Sequence, residues 1–163
     1  TILAGAEKVS LNSQAVRNPS LITEGARVFG NQRIVLGMDV RRDPTKPSGF
    51  GTTINGGRVD TGLDALEWAK RGVELGAGEI VLNSMDADGT KNGYDIELTR
   101  LISENVPVPV IASGGGGTPA HLAEALTDGK ADAALIASMV HNGTYTVGQI
   151  KEELQGMGVP MRM

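Results

Sequence analysis

One segment occurs three times in this chain, and its recurrence restricts the fold more than any other feature. Gly5-Ala6-Glu7-Lys8-Val9-Ser10-Leu11-Asn12-Ser13 aligns without a gap on Gly76-Ala77-Gly78-Glu79-Ile80-Val81-Leu82-Asn83-Ser84. Lys130-Ala131-Asp132-Ala133-Ala134-Leu135-Ile136-Ala137-Ser138 matches both more loosely. Each copy reads as a helix end, a short turn, a buried strand and a small polar residue at the strand's end. Ser13, Ser84 and Ser138 fall 71 and 54 residues apart. The shorter interval holds two strand–helix units of ordinary size, and the longer holds two units plus an insertion. Such repetition marks a fold that uses one supersecondary unit again and again.

The rest of the chain fits that unit. Apolar runs predict strands at 8–12, 33–39, 79–84, 108–113 and 131–138, and helical periodicity predicts helices at 20–29, 64–75, 96–105, 119–127 and 147–157. The strands are continuous apolar runs, which predicts a parallel sheet covered on both faces. The insertion is residues 40–61, where Asn55-Gly56 between Thr52-Thr53-Ile54 and Arg58-Val59 is a hairpin signal. Thr1-Ile2-Leu3-Ala4-Gly5-Ala6 reads as the last turn of a helix with its glycine cap, so the sequence is expected to open inside a larger fold. All five strands end in a polar group or glycine (Asn12, Asp39, Asp86/Asp88, Ser113-Gly114, Ser138). That shared edge is the expected functional face.

Two loops on this edge carry chemistry. Met85-Asp86-Ala87-Asp88-Gly89-Thr90-Lys91-Asn92-Gly93 brings two aspartates and a Gly-Thr turn directly after a strand. Ser113-Gly114-Gly115-Gly116-Gly117-Thr118-Pro119 places four glycines before a helix that Thr118 caps and Pro119 begins. Exposed backbone amides beside a helix N-terminus favour an anion. An acidic solvated turn and a flexible linker are the plainer readings. His121 and His141 are solitary, Trp68 reads as core, and no metal-ligand spacing or cofactor motif is present, so neither a metal nor a cofactor is expected.

Composition narrows the classes. The 163 residues suffice for one domain, and a net charge of −4 gives no electrostatic reason to expect nucleic acid or an anionic membrane. Zero cysteines exclude disulfides and thiol catalysis and fit a cytoplasmic protein. With aromatics at only 3%, the core is expected to be aliphatic.

Taken together, Gly5–Asn12, Gly37-Met38-Asp39-Val40, Thr61–Ala69, Gly76–Ile80, Ser84–Asp95, Ala112–Gly117 and Ala131–Ala134 resemble the cyclase-subunit family of imidazole glycerol phosphate synthase. The acidic loop and the Thr-Gly-Leu-Asp helix start favour that family over its sister isomerase. The resemblance implies a (βα)₈, or TIM, barrel of roughly 250 residues, of which this chain would hold about the last five units, as a partial barrel of five parallel strands. An open flavodoxin-like sheet is the alternative. It further implies histidine biosynthesis, in which ammonia from a glutaminase partner is joined to a bisphosphorylated ribulosyl aminoimidazole carboxamide. The products are imidazole glycerol phosphate and an aminoimidazole carboxamide ribotide.

By the same resemblance Asp39 is one of two acid–base aspartates, the other belonging to a first strand without a counterpart here. Asp88, Gly89, Ser113, Gly114, Gly115, Ala137 and Ser138 would bind one phosphate, and Asn12 and Ser13 would form half of the other site. Lys8 and Glu79 match a ring where ammonia enters, though otherwise they read as solvated strand-end charges. With its acid–base pair incomplete, the chain is expected to be inactive alone. A non-catalytic phosphate-binding or self-associating module is the competing reading, and exposed sheet edges predict self-association.

Overall fold

The structure, a computed structural model, describes residues 1–163. A parallel ribbon is formed by β1 (Val9–Leu11), β2 (Ile34–Arg42), β5 (Glu79–Ser84), β6 (Val110–Ser113) and β7 (Ala133–Ala134). They are hydrogen-bonded in chain order, β1-β2-β5-β6-β7. Two further strands, β3 (Phe50–Ile54) and β4 (Val59–Asp64), make the sheet seven-stranded. These form the expected hairpin: Asn55 and Gly56 both take positive φ, as its turn requires. It docks antiparallel on β2 at Asp39–Arg42, on the strand that β1 borders at Ile34–Leu36. The insertion is therefore part of the sheet.

Helices α2 (Ser20–Phe29), α3 (Ala65–Leu75), α4 (Ile96–Asn105), α5 (Pro119–Thr127) and α7 (Val147–Gly156) follow the strands closely as the periodicity predicts. Asp64, Asp95 and Thr118 cap α3, α4 and α5 by accepting the N–H of Glu67, Leu98 and His121. Two single-turn helices, α1 (Ser13–Arg17) and α6 (Ser138–His141), begin where strands were expected to end. The last strand is correspondingly shorter than residues 131–138. Its partner β6 stops at Ser113, where Gly114 turns away at φ +93°, and pairing ends with the Leu135 N–H donating to the Ala112 carbonyl at 2.8 Å.

The strand order corrects two expectations. A flavodoxin-like sheet reverses direction around its first strand, whereas this order is sequential. Sequential right-handed crossovers keep their helices on one side, so the parallel strands are not covered by helices on both faces. Ile34, Leu36, Met38, Val40, Ile80, Leu82 and Val110 form the buried face, packed with Ile22, Trp68, Ala69, Leu98 and Ile102. Leu11 pairs with Leu36 and packs against that same core, so it faces the helices. The opposite face carries the alternate residues Ser10, Gly37, Asp39, Val81, Asn83, Ile111 and Ser113, smaller and more polar than an all-aliphatic lining. A second cluster around Leu122, Ala125, Ile150 and Leu154 closes the other end. The sheet is open, because β1 pairs only with β2 and β7 only with β6. No helix is long and apolar enough to cross a membrane.

Candidate functional site

The acidic loop begins as a hydrogen-bonded turn at the end of β5. The Asp88 N–H donates to the Ser84 carbonyl at 2.9 Å, and the Ala87 N–H to the Ser84 hydroxyl at 3.2 Å. The two aspartates then part company. Asp86 accepts the Arg42 backbone N–H at 2.7 Å, and the Arg42 guanidinium binds Asp95 and Glu97, each at 2.9 Å. Hydrogen bonding to Glu97 heads the causes that push the Arg42 pKa up. This knot ties the end of β2 to the start of α4 and occupies Asp86 structurally, while Asp88 makes no ion pair.

The loop lies directly on the four glycines, which removes the flexible-linker reading. The Gly93 N–H donates to the Gly115 carbonyl at 2.8 Å. A side chain at Gly114 would come within 2.8 Å of the Ser84 carbonyl, and one at Gly115 would run into the Gly93 carbonyl. At Gly116 it would meet the Tyr94 hydroxyl, and at Gly117 the Lys91 carbonyl. Gly114 and Gly115 also hold φ of +93° and +103°, a region that suits glycine. Tyr94 clamps the far side, its hydroxyl donating to the Leu135 carbonyl at 2.7 Å; burial pushes its pKa up to about 12.

Between these loops and the end of β7 is a pocket of about 130 Å³. Asp88, Gly89, Ser113, Gly114, Gly115, Ala137 and Ser138, the seven residues expected around one phosphate, all line it. Gly116 of the four-glycine loop lines it too, as do Lys91 and Leu135, to which the sequence assigned no role. Drug-sized ligands occupy roughly 300–1,000 Å³, so the space suits a compact group. The N–H groups of Gly89, Gly114, Gly115, Gly116, Ala137 and Ser138 donate to no acceptor in the chain. Six donors without a partner in the chain thus surround one small pocket, an arrangement whose geometry suits an anion. The Gly117 N–H is excluded from that set, since it donates to His121 Nδ1 at 3.1 Å, which makes His121 structural.

Asp39 lies on the same open face two strands from the pocket, in register with Asn83 of β5, itself in register with the pocket residue Ser113 of β6. Asn83 Nδ2 donates to Asp39 Oδ1 at 3.4 Å, and the Thr53 hydroxyl donates to the Asp39 carbonyl at 2.9 Å. Asn83, the side chain that contacts Asp39, was not assigned from sequence, although its place at a strand end in the repeat was the available signal. The structure brings no second carboxylate into hydrogen-bonding contact with Asp39.

Asn12 and Ser13 stand apart from the pocket. Asn12 leans over Gly37, where an added Cβ would lie 3.5 Å from its Nδ2. The Ser13 hydroxyl accepts the Asn55 N–H of the hairpin turn at 3.2 Å, and Arg17 holds the Asn55 side chain at 3.0 Å. Lys8 and Glu79 lie at the opposite, amino-terminal end of the strands and bridge across β2 at 2.5 Å. They line a shallow depression of about 510 Å³ with Glu7, Gln32, Arg33, Gly78 and Pro109.

Residues 1–146 match a protein family described as histidine biosynthesis protein. Among similar curated proteins, one from Desulfosudis oleivorans is 65% identical over the whole chain and 64% of its own length. Another from Desulfatibacillum aliphaticivorans is 63% identical over 99% of the chain and 63% of its own length. A third, from Prochlorococcus marinus strain NATL1A, is 55% identical over 98% of the chain and 62% of its own length. All three carry the name imidazole glycerol phosphate synthase subunit HisF. The chain therefore spans just under two thirds of these relatives.

Proposed function

The chain belongs to the histidine biosynthesis protein family, and from that premise we propose that it forms the phosphate-gripping arc of a cyclase subunit of imidazole glycerol phosphate synthase. The one observation that carries this reading is the set of six unpartnered amides around a single small pocket at the carboxyl ends of β5, β6 and β7. In this reading one phosphate of a bisphosphorylated ribulosyl substrate rests on those amides, with Asp88 beside it. The five sequential strands are then an arc of a (βα)₈ barrel, whose remaining strands would flank β1 and β7. The open sheet and the extra length of the relatives support that reading. Asn12 and Ser13 would contribute to the second phosphate's site.

Asp39 is the acid–base group in this proposal. Its carboxylate faces the same side of the sheet as the pocket, and Asn83 orients it. A general acid and base each contribute about 10²–10⁴-fold, so one carboxylate without a counterpart supports at most feeble turnover. Ammonia supplied by a glutaminase would enter at the opposite end, past Lys8 and Glu79. The absence of a second carboxylate beside Asp39 favours a second reading, a phosphate-binding module that associates through its open edges without catalysis.

Two measurements test the proposal. A phosphomonoester should raise the melting temperature of the chain, since a ligand at about 100 times its Kd adds roughly 2.7 kcal/mol; no shift at millimolar concentrations would refute the pocket. Assayed with ammonia and the bisphosphorylated substrate, the chain alone should turn over negligibly. Robust turnover would show that the acid–base pair has been misassigned.

A further inference from the structure

We propose that Lys91 makes this pocket selective for the doubly charged form of a phosphate group, a role that rests on the phosphate reading of the pocket. Amides alone grip monoanions and dianions by the same geometry. A compact ammonium placed beside them adds a point charge that rewards the second negative charge. Lys91 and Asp88 are the only charged side chains lining the pocket, and neither makes an ion pair within the chain. Without the lysine, the lone carboxylate would repel the anion the amides are arranged to hold.

The backbone supports the same assignment. Lys91 is one of only three non-glycine residues with positive φ, at +57°. That conformation crowds the Cβ of an L-residue and is far easier for glycine. Thr90 braces the turn on one side, its hydroxyl donating to the Ala87 carbonyl at 2.7 Å and accepting the Asn92 N–H at 3.2 Å. The root of the side chain is seated on the glycine loop: a Cβ added at Gly117 would lie 2.9 Å from the Lys91 Cβ. A strained position therefore holds a cation at the rim of an amide-lined pocket. Backbone strain retained at such a place points to use of the side chain.

The test compares glycerol 3-phosphate affinities of the wild-type chain and of K91M, K91R and K91G, read from the amide signals of Gly114, Gly115 and Ser138. A phosphomonoester loses its second proton near pH 6, so wild-type binding should strengthen about tenfold between pH 5 and pH 7.5. K91M should bind about tenfold or more weakly at pH 7.5, with most of that pH dependence gone, and K91R should recover to within about threefold. K91G relaxes the strained φ and should melt at a higher temperature while binding as weakly as K91M. K91M binding within about twofold of wild type, with the same pH profile, would overturn the role of Lys91. A wild-type chain whose pocket amides never respond would remove the phosphate site, and the role of Lys91 with it.

Discussion

The carboxyl ends of β1 and β5 descend from the same repeated segment, yet they do opposite things. Ser84 and Ser13 are equivalent in the repeat. The Ser84 hydroxyl accepts the Ala87 N–H and launches the turn that presents Asp88 and Gly89. The Ser13 hydroxyl accepts the Asn55 N–H of a hairpin and is consumed in packing that hairpin down. Asn83 reaches Asp39, whereas Asn12 only leans over Gly37. Beside β5 and β6 the neighbouring loop leaves amides free; beside β1 the hairpin borrows the edge of β2. A strand end becomes a binding site through what is packed next to it, and the strand's own sequence does not decide that alone.

That contrast can be broken most forcefully at the glycines. Gly115→Ala must push its methyl into the Gly93 carbonyl at a positive φ, and should cost about 3 kcal/mol and abolish phosphate binding. Gly56→Ala in the hairpin also sits at positive φ but meets nothing within 4 Å, so about 1 kcal/mol is expected with the pocket unaffected. Denaturant midpoints of the two variants decide the point. Equal losses would mean that the pocket loops are no more tightly interlocked than the hairpin.

Tyr94→Phe removes the hydroxyl that holds the Leu135 carbonyl and should cost about 1 kcal/mol. It also has a pH signature. The folded-state pKa of Tyr94 is raised to about 12 from 10.0, so its contribution is full below pH 10 and fades as the pH climbs toward 12. Alkaline titration of stability should therefore be flatter in the variant, and an unchanged slope would mean that the Tyr94 hydroxyl is not confined.

On the hairpin side, Asp64→Ala removes the cap of α3 and the acceptor for Ser48 at 2.6 Å, with an expected loss of about 1 kcal/mol. Burial opposes ionisation of Asp64, but the hydrogen bonds from Ser48 and Glu67 outweigh it and hold its pKa below 3.8. The stabilisation is thus present above that value and lost as the pH falls through the lower folded pKa. Wild type and variant should converge in acid; a constant gap would contradict the assignment. Ser13→Ala should do least, a few tenths of a kcal/mol, with pocket signals unmoved; a change in phosphate affinity would show that the two edges are coupled.

Much of this was legible in the sequence because the signals are local. The Thr118-Pro119 start and the Asn55-Gly56 turn each act within a few residues. The same holds for the seven pocket residues, which sit on loops immediately after strands. What sequence concealed was pairing between distant segments. Nothing local says that Asp86 would be claimed by Arg42, or that the hairpin would join β2 and extend it to Arg42. Helices on a single face follow from the order of strands, which periodicity does not encode. Lys91 went unassigned because its role depends on a backbone conformation and on the glycine loop beneath it. The capping pair Thr146 and Gln149 at α7, by contrast, was available to a local reading and was passed over.

In the proposed reading, one strand-end edge is a complete phosphate site and the other is not. Titrating the chain with inorganic phosphate while following every backbone amide tests it directly. The signals of Gly89, Gly114, Gly115, Gly116, Ala137 and Ser138 should move together along one binding curve, with Asn12 and Ser13 still. Movement centred on Asn12 and Ser13, or none in the pocket at saturating phosphate, would contradict it.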